Sequence, residues 1–383
     1  MKKNNHIKLS VYTTSHYTEP SSYYRINQFV DNFVDEKFDI CKHYGQGDKL
    51  RQYYLSVDRN NYVKHRLIQV CCYLFWCLKL LLSLFVDNFI FKPHVVIIQR
   101  TLISRKALSV HLFLLKRLLK RSSLIWDFDD NIFENGEMDD NLKQILSIYA
   151  KKIIVTSNFL RQKIDNVSSD RFVLLPTTDG DMYQMLNQSV FNERKKRFMK
   201  EFAVVWVATA SNLVYLEKVV PYIDAAAKIL FERQHKKVIL EVVCNKELCV
   251  NTDYLDIHNI RWDRNVAINR MLHAHLGIMP LDENEITKGK GGFKLIQYMS
   301  VGLPVIASNV GYNSEVVSSG MQGGFIFDHY SEWVECIVKM ALDYDYLENM
   351  GRSSRKVWNE KFSYISNFSF WRQLIVSCAQ YNF

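Results

Sequence analysis

Residues 285–314 constrain this chain most, because they set a basic, glycine-rich loop, a short helix, a Gly-Leu-Pro break and an apolar strand end to end. Lys288, Gly289, Lys290, Gly291 and Gly292 make the loop. Glycine lets backbone N–H groups approach a phosphate closely, and a helix start adds positive potential. Helical spacing puts Lys294, Gln297 and Val301 on one face and Leu295, Ile296 and Met299 on the other. A cation and an amide are thus expected beside a phosphate-sized loop. A solvated turn would read the same way over the glycines alone.

The strands and helices around this block alternate. Apolar or β-branched runs at 7–12, 95–98, 123–126, 152–156 and 171–175 predict one parallel sheet. Runs at 203–207, 237–244, 275–280, 304–308 and 324–327 predict a second, with helices in the gaps. The charged stretch 177–200 between them is expected to be a linker. With 383 residues, the chain is long enough for two such cores.

A net charge of +9 calls for an anionic partner. Nucleic acid is not expected, because no helix-turn-helix, zinc-finger or RNA-binding consensus is present. Much of the charge lies in residues 105–121, where leucines repeat at helical spacing beside Lys116, Arg117, Lys120 and Arg121. Such a helix can lie on an anionic lipid surface or face a core behind a solvated basic rim. Residues 67–86 form an apolar run of membrane-span length, read as a crossover helix packed on the sheet or dipping into the membrane interface. A full span would split the first sheet across a bilayer. The eight cysteines form no C-x-x-C pair and are read as reduced, buried thiols. The first residues lack a secretory apolar core, so the expected location is cytoplasmic, peripheral at the inner face of the membrane.

The string K-G-G-F-K-x-x-Q-Y-M-x-x-G-x-P-V-x-A-S resembles the donor-site signature of family-4-type glycosyltransferases of the GT-B fold. It is most similar to a bacterial subgroup with a G-K-x-G-F-K-L-x-Q-Y-M segment. Further blocks follow in the same order: Ser22-Tyr23-Tyr24-Arg25, Ile98-Gln99-Arg100, residues 126–134 (WDFDDNIFE), Val205-Trp206-Val207 with Tyr215-Leu216, and residues 277–281 (GIMPL). The resemblance implies an α/β GT-B fold, two doubly wound Rossmann-like domains facing a central cleft. Its implied domains are an acceptor-binding domain over 1–180, a nucleotide-sugar-binding domain over 181–365, and a helix at 366–383 returning to the first. It also implies a retaining glycosyltransferase with no cofactor and no obligatory metal, drawing on a nucleotide-sugar donor. The acceptor would be lipid-linked or an oligosaccharide, in capsule or lipopolysaccharide synthesis. An epimerase of the same fold and a catalytically silent scaffold are the rival readings.

Departure of a nucleotide diphosphate needs fixed cations and backbone donors where no metal serves. Lys290 and Lys294 are the candidates, with Lys288 assisting. Thr209, Ser211, Asn245, Trp262, Glu285, Gly291, Gly292, Phe293 and Gln297 are expected around the donor, although Trp262 could equally be a core residue. The broader family has glutamate where Gln297 stands, an acid where Gly289 stands and glycine where Ala208 stands. Asp127 and Asp130 are expected in the cleft as catalytic carboxylates, with helix capping or a D-x-D metal site as other readings. Tyr23, Tyr24, Arg25 and Arg100 are the acceptor-side candidates, Arg25 as a phosphate ligand or as half of a salt bridge.

Overall fold

The computed structural model describes residues 6–33, 37–56, 62–103, 106–134, 136–317 and 323–380. The chain divides into two compact units, Met1–Thr177 with Ile365–Phe383, and Thr178–Tyr364.

In the first unit β1 (Ile7–Thr13), β2 (Phe38–Tyr44), β3 (Val95–Gln99), β4 (Ser123–Phe128), β5 (Ala150–Val155) and β6 (Phe172–Leu174) form one sheet in the order β2-β1-β3-β4-β5-β6. Every neighbouring pair is parallel. All residues of β3 and β4 are buried, as strands covered by helices on both faces require. The direction of winding reverses between β1 and β3, so the loops leaving these two strands diverge and open a crevice at their carboxyl ends.

The apolar run of residues 67–86 is a crossover helix, Tyr62–Phe85, continued by a π-helical turn at Val86–Phe91. Trp76, Cys77, Leu80 and Leu84 pack into the core of the unit. Because β1 before the helix and β3 after it are parallel neighbours, the helix runs back antiparallel to the strands, along the sheet. In the basic stretch, Arg105 lies outside the described residues. Helix Ser109–Leu119 puts Leu114, Leu115, Leu118 and Leu119 in the core and leaves Lys116, Arg117, Lys120 and Arg121 exposed. Of the leucine repeat, Leu115 and Leu119 thus face the core, Leu112 is half-buried and Leu108 is exposed. The last helix, Tyr364–Ala379, closes on the same unit: the Phe368 ring packs tilted against Phe33, and the Cys378 carbonyl accepts a hydrogen bond from Ser123 at 2.8 Å. All eight cysteines are free, but Cys71 and Cys249 are exposed rather than buried.

The second unit holds β7 (Glu201–Val207), β8 (Lys237–Cys244), β9 (Leu255–Arg261), β10 (Leu276–Met279), β11 (Val305–Ser308) and β12 (Gly324–Phe327) in the order β12-β11-β10-β7-β8-β9, again all parallel. Its switch point falls between β7 and β10. The charged stretch 177–200 is not a linker. Helix Gln188–Phe198 within it buries Val190, Phe191, Arg194 and Phe198. Arg194 donates to the carbonyls of Leu272 (2.7 Å), Val301 (2.8 Å) and Gly302 (3.0 Å), which binds the helix to the domain.

Two histidines, His43 half-buried in the first unit and His275 buried in the second, are shifted in opposite directions. In the first unit, burial works against a charge on His43, but hydrogen bonds to Asp87 and Cys41 win and raise it to about 9. The folded value exceeds the ordinary 6.5, so this stabilisation is present below pH 6.5 and lost as pH rises through 9. In the second unit, burial pushes His275 down to about 3. Its Nδ1 accepts from the Ala203 amide at 2.8 Å. That stabilisation is present above pH 6.5 and lost as pH falls toward 3. Calorimetry should show the first unit melting earlier toward alkali and the second toward acid, by roughly 3 kcal/mol or more over each window. His43→Gln should remove the alkaline shift and leave the acid one.

Candidate functional site

The second unit gathers the loops that leave the carboxyl ends of β7, β8, β9 and β10. After β10, the short helix Glu285–Lys288 is started by the Asn284 side chain, which accepts from the amides of Ile286 and Thr287. The chain then turns through Gly289 to Gly292 into helix Phe293–Ser300. Gly292 is the cap residue at φ 63°, and a Cβ there would meet Val316 at 2.8 Å. Only glycine fits without strain. Since the cap has no side chain, it leaves the first-turn N–H groups to another acceptor. The helix is held to the sheet by Tyr298, whose hydroxyl accepts from the Val207 amide at 3.0 Å. Its ring packs where any side chain larger than hydrogen at Gly277 would collide, at 2.5 Å.

Lys290 donates to Asn212 Oδ1 at 2.6 Å, which ties the glycine loop to the turn after β7. In that turn the Thr209 and Ser211 hydroxyls are 3.1 Å apart and exposed. Asn245, after β8, accepts from the Ala210 amide at 3.1 Å, so it shapes the turn. Trp262, after β9, is 46% exposed; the core reading of it fails. Lys288 pairs with Glu283 (3.1 Å) and Glu285 (3.6 Å), all three partly or fully exposed.

Lys294 and Gln297 meet as their spacing predicts, Nζ to Oε1 at 2.9 Å. The other end of the Gln297 amide donates to Asp179 Oδ2 at 2.7 Å, and the side chain is buried. Both ends of the Gln297 amide are thus engaged, one by Lys294 and the other by Asp179. Asp179 also accepts the amides of Asp181 and Met182, both at 2.8 Å. Dense surroundings push the Lys294 ammonium down to about 8; Asp179 opposes the fall and Arg264 adds to it. Arg264 pairs with Asp181 at 2.6 Å. Asp179, Arg264 and Asn212 were not singled out from the sequence. Asp179 sits in the stretch read as a linker, behind Pro176-Thr177-Thr178, where a loop leaving β6 could have been suspected.

In the first unit, the loops after β1, β3 and β4 meet at the switch point. Arg25 and Asp127 were each expected to face a ligand, but they face one another. Arg25 Nε lies 3.2 Å from both Asp127 oxygens, Nη2 also donates to Oδ1, and Nη1 donates to Leu175 O at 2.7 Å. Both side chains are buried. The salt-bridge reading of Arg25 holds, and Asp127 has no face toward a substrate. Tyr24 is buried and packs edge-on to Tyr23, which is partly exposed.

Arg100 takes a left-handed backbone, φ 60°, unusual for a side chain of its size. It donates to Asp130 Oδ2 (2.7 Å), Asp129 Oδ1 (3.3 Å) and both Glu137 oxygens (2.9 Å each). Burial first, then Asp130, raise the Asp129 carboxyl to about 6. Asp130 is the more open of the two. The D-x-D reading meets carboxylates already engaged by arginines. Among the described residues, the group whose ligand atoms converge within 4.8 Å is Cys41, His43 and Asp87. There Asp87 already accepts from Ser10 (2.8 Å) and Tyr12 (2.6 Å).

Residues 203–343 match the family model described as Glycosyl transferases group 1. This segment is similar to a group 1 glycosyltransferase domain. Solved structures share its fold over nearly the whole chain. A glycosyltransferase from Rickettsia africae superposes with a TM-score of 0.64 at 13% identity, over 98% of this chain and 99% of its own. Anabaena HepE with UDP-glucose gives 0.63 at 12%, over 97% and 100%. Sucrose-phosphate synthase from Thermosynechococcus elongatus gives 0.61 at 11%, over 97% and 100%. No curated protein matches the chain. The architecture is GT-B, two α/β units each built on a parallel six-stranded sheet. The matched segment contains the glycine loop, Lys290, Lys294 and Arg264, whereas Asp179 lies outside it.

Proposed function

We propose that the protein transfers a glycosyl group from a nucleotide diphosphate sugar to a lipid-linked glycan acceptor, in bacterial surface polysaccharide synthesis such as capsule or lipopolysaccharide assembly. Transfer retains anomeric configuration and needs no obligatory metal. It takes place at the cytoplasmic face of the membrane. The observation that carries this reading is the pair Lys290 and Lys294, fixed by Asn212 and Gln297 at either end of one glycine loop at the switch point. As the glycosidic bond breaks, negative charge grows on the departing diphosphate. Two held ammonium groups, the nearby Arg264 and first-turn amides can meet it without reorganising. HepE is a structure of this fold seen with UDP and UDP-glucose, which supports a donor of that class.

On the acceptor side, the proton-accepting role moves from Asp127 to Asp129 or Asp130. Asp129, raised to about 6, stays largely ionised at neutral pH yet is basic enough to take a hydroxyl proton. Arg100 holds both carboxylates in place. Trp262 offers an exposed ring on which a nucleotide base can stack, and Thr209 and Ser211 offer hydroxyl donors.

Incubation with radiolabelled nucleotide sugars and a membrane extract tests the reading. Labelled lipid-linked product supports it; an isomerised nucleotide sugar points to an epimerase, and binding without turnover to a scaffold. EDTA is expected to leave the rate unchanged, and a loss restored by manganese would contradict the metal-independent mechanism. Donor binding should also report Lys294. Below pH 8 the free enzyme carries its charge, and diphosphate must raise its pKa further. Affinity for UDP should fall up to about tenfold per pH unit above 8, as measured by calorimetric titration. A flat profile from pH 7 to 10 would remove Lys294 from the diphosphate.

A further inference from the structure

The crossover helix of the first unit shows solvent a continuous apolar stripe. Leu67, Val70, Leu74, Leu78, Leu82, Phe85 and Phe89 recur every three or four residues, and Leu74, Leu78 and Leu82 are each close to 60% exposed. Helix Ser109–Leu119 packs beside it, with His111 bonded to the Cys77 carbonyl at 2.9 Å and Asn88 to the Leu114 carbonyl at 3.0 Å. That neighbour adds exposed Leu108, Val110 and Phe113. An apolar groove of about 570 Å³ lies between this crossover helix and Asp48–Ser56, lined by Leu50, Tyr53, Ile68, Cys71 and Phe75 among others. A contiguous apolar face of this extent on a folded unit marks a docking surface.

Charge identifies what covers it. From Arg66 to Arg121 the sequence holds ten lysines and arginines and a single acid, Asp87, which is buried. Lys106, Lys116, Arg117, Lys120 and Arg121 are exposed, and the Arg117 guanidinium sits 4.9 Å over the Phe89 ring at the edge of the stripe. A second copy would set these like charges against each other, and Asp48 at the groove already accepts from Tyr17 and Thr18. An anionic bilayer supplies both an apolar interior and phosphates at its rim.

We propose that this face seats in the headgroup–acyl boundary of an anionic bilayer, with the Arg66–Phe91 helix lying in the membrane plane. The stretch is long and apolar enough to cross a membrane. It does not cross, because its opposite face is core and β1 and β3 on either side of it are paired. The proposal deepens the functional reading by giving the lipid-linked acceptor's surroundings a contact surface. It rests on that reading only for the location.

The protein carries its own probes. Cys71 is exposed within the face, while Cys249, also exposed, belongs to the other unit. A water-soluble maleimide is applied to the full chain with vesicles of phosphatidylglycerol and phosphatidylcholine, or of phosphatidylcholine alone. With anionic vesicles, Cys71 labelling should slow at least about tenfold and the protein should co-sediment, while Cys249 reacts unchanged. Alkaline carbonate should release the protein. A variant with Leu74→Gln, Leu78→Gln and Leu82→Gln should stay in the supernatant with Cys71 reactive and UDP affinity unaltered. Unchanged Cys71 labelling, carbonate-resistant insertion, or Cys71 protection by dimer formation without lipid would each overturn the proposal. Vesicle binding with no glycosyl transfer would instead count against the functional reading alone.

Discussion

Replacing Lys294 with alanine is expected to lower turnover by about a thousandfold, the loss typical of removing one fixed group that meets developing negative charge. Stability should not fall in proportion. Burial pushes the Lys294 ammonium down to about 8, so holding it charged at neutral pH works against the fold, and removing it relieves that opposition. Gln297 keeps its bond to Asp179 when Lys294 is gone, so the helix should remain seated. Lys294→Met preserves most of the stem and should give the same kinetic loss with less disturbance of packing. Lys294→Arg should not rescue, because the fork cannot occupy the space of a single ammonium donating to Gln297 Oε1. The readouts are kcat with the cognate nucleotide sugar and the thermal midpoint of the ligand-free protein. Near-normal turnover in a folded Lys294→Ala protein would refute the diphosphate role.

Asp127→Asn should instead strike stability. The Arg25 guanidinium and the Asp127 carboxylate are buried against each other, and neutralising one leaves the other charged and without its counter-ion. Breaking such a pair costs about 3–5 kcal/mol, enough to unfold a marginal domain at physiological temperature. Urea titration should show the first transition collapsing while the second unit melts as before. The paired change Arg25→Met with Asp127→Leu should recover most of the loss, because no uncompensated charge is left behind. An Asp127→Asn protein with unchanged stability and no turnover would restore the catalytic reading of this residue. Asp129→Asn and Asp130→Asn should be well tolerated by the fold in comparison, since both carboxylates share Arg100 with Glu137.

The contrast between these residues explains what the sequence could and could not convey. Apolar runs such as residues 95–98 and 123–126 announced the parallel strands, because a strand buried on both faces must be nearly all apolar. Strands β2 and β9 were passed over for the converse reason. Each lies at a sheet edge with one neighbour and exposed positions, so FDICKHY and LDIHNIR read as mixed and polar. The Lys294–Gln297 contact followed from helical spacing, a local rule. That Gln297 turns its other end to Asp179, or that Arg25 reaches Asp127 across the sheet, is a long-range pairing no spacing rule encodes. The charged stretch 177–200 misled because Arg194 is buried, and its backbone-carbonyl partners come from segments far along the chain. Motif likeness located the loops correctly at the ends of strands. It did not distinguish side chains that meet a ligand from those that hold the loops together.

The central claim is that the cations at residues 288–294 hold the diphosphate of the donor, and a structure with UDP bound tests it most directly. The account predicts the β-phosphate against the Gly291–Gly292 turn and the start of helix Phe293–Ser300, within hydrogen-bond reach of Lys294 Nζ. A diphosphate bound elsewhere on the second unit, with Lys290 and Lys294 still bonded only to Asn212 and Gln297, would contradict it.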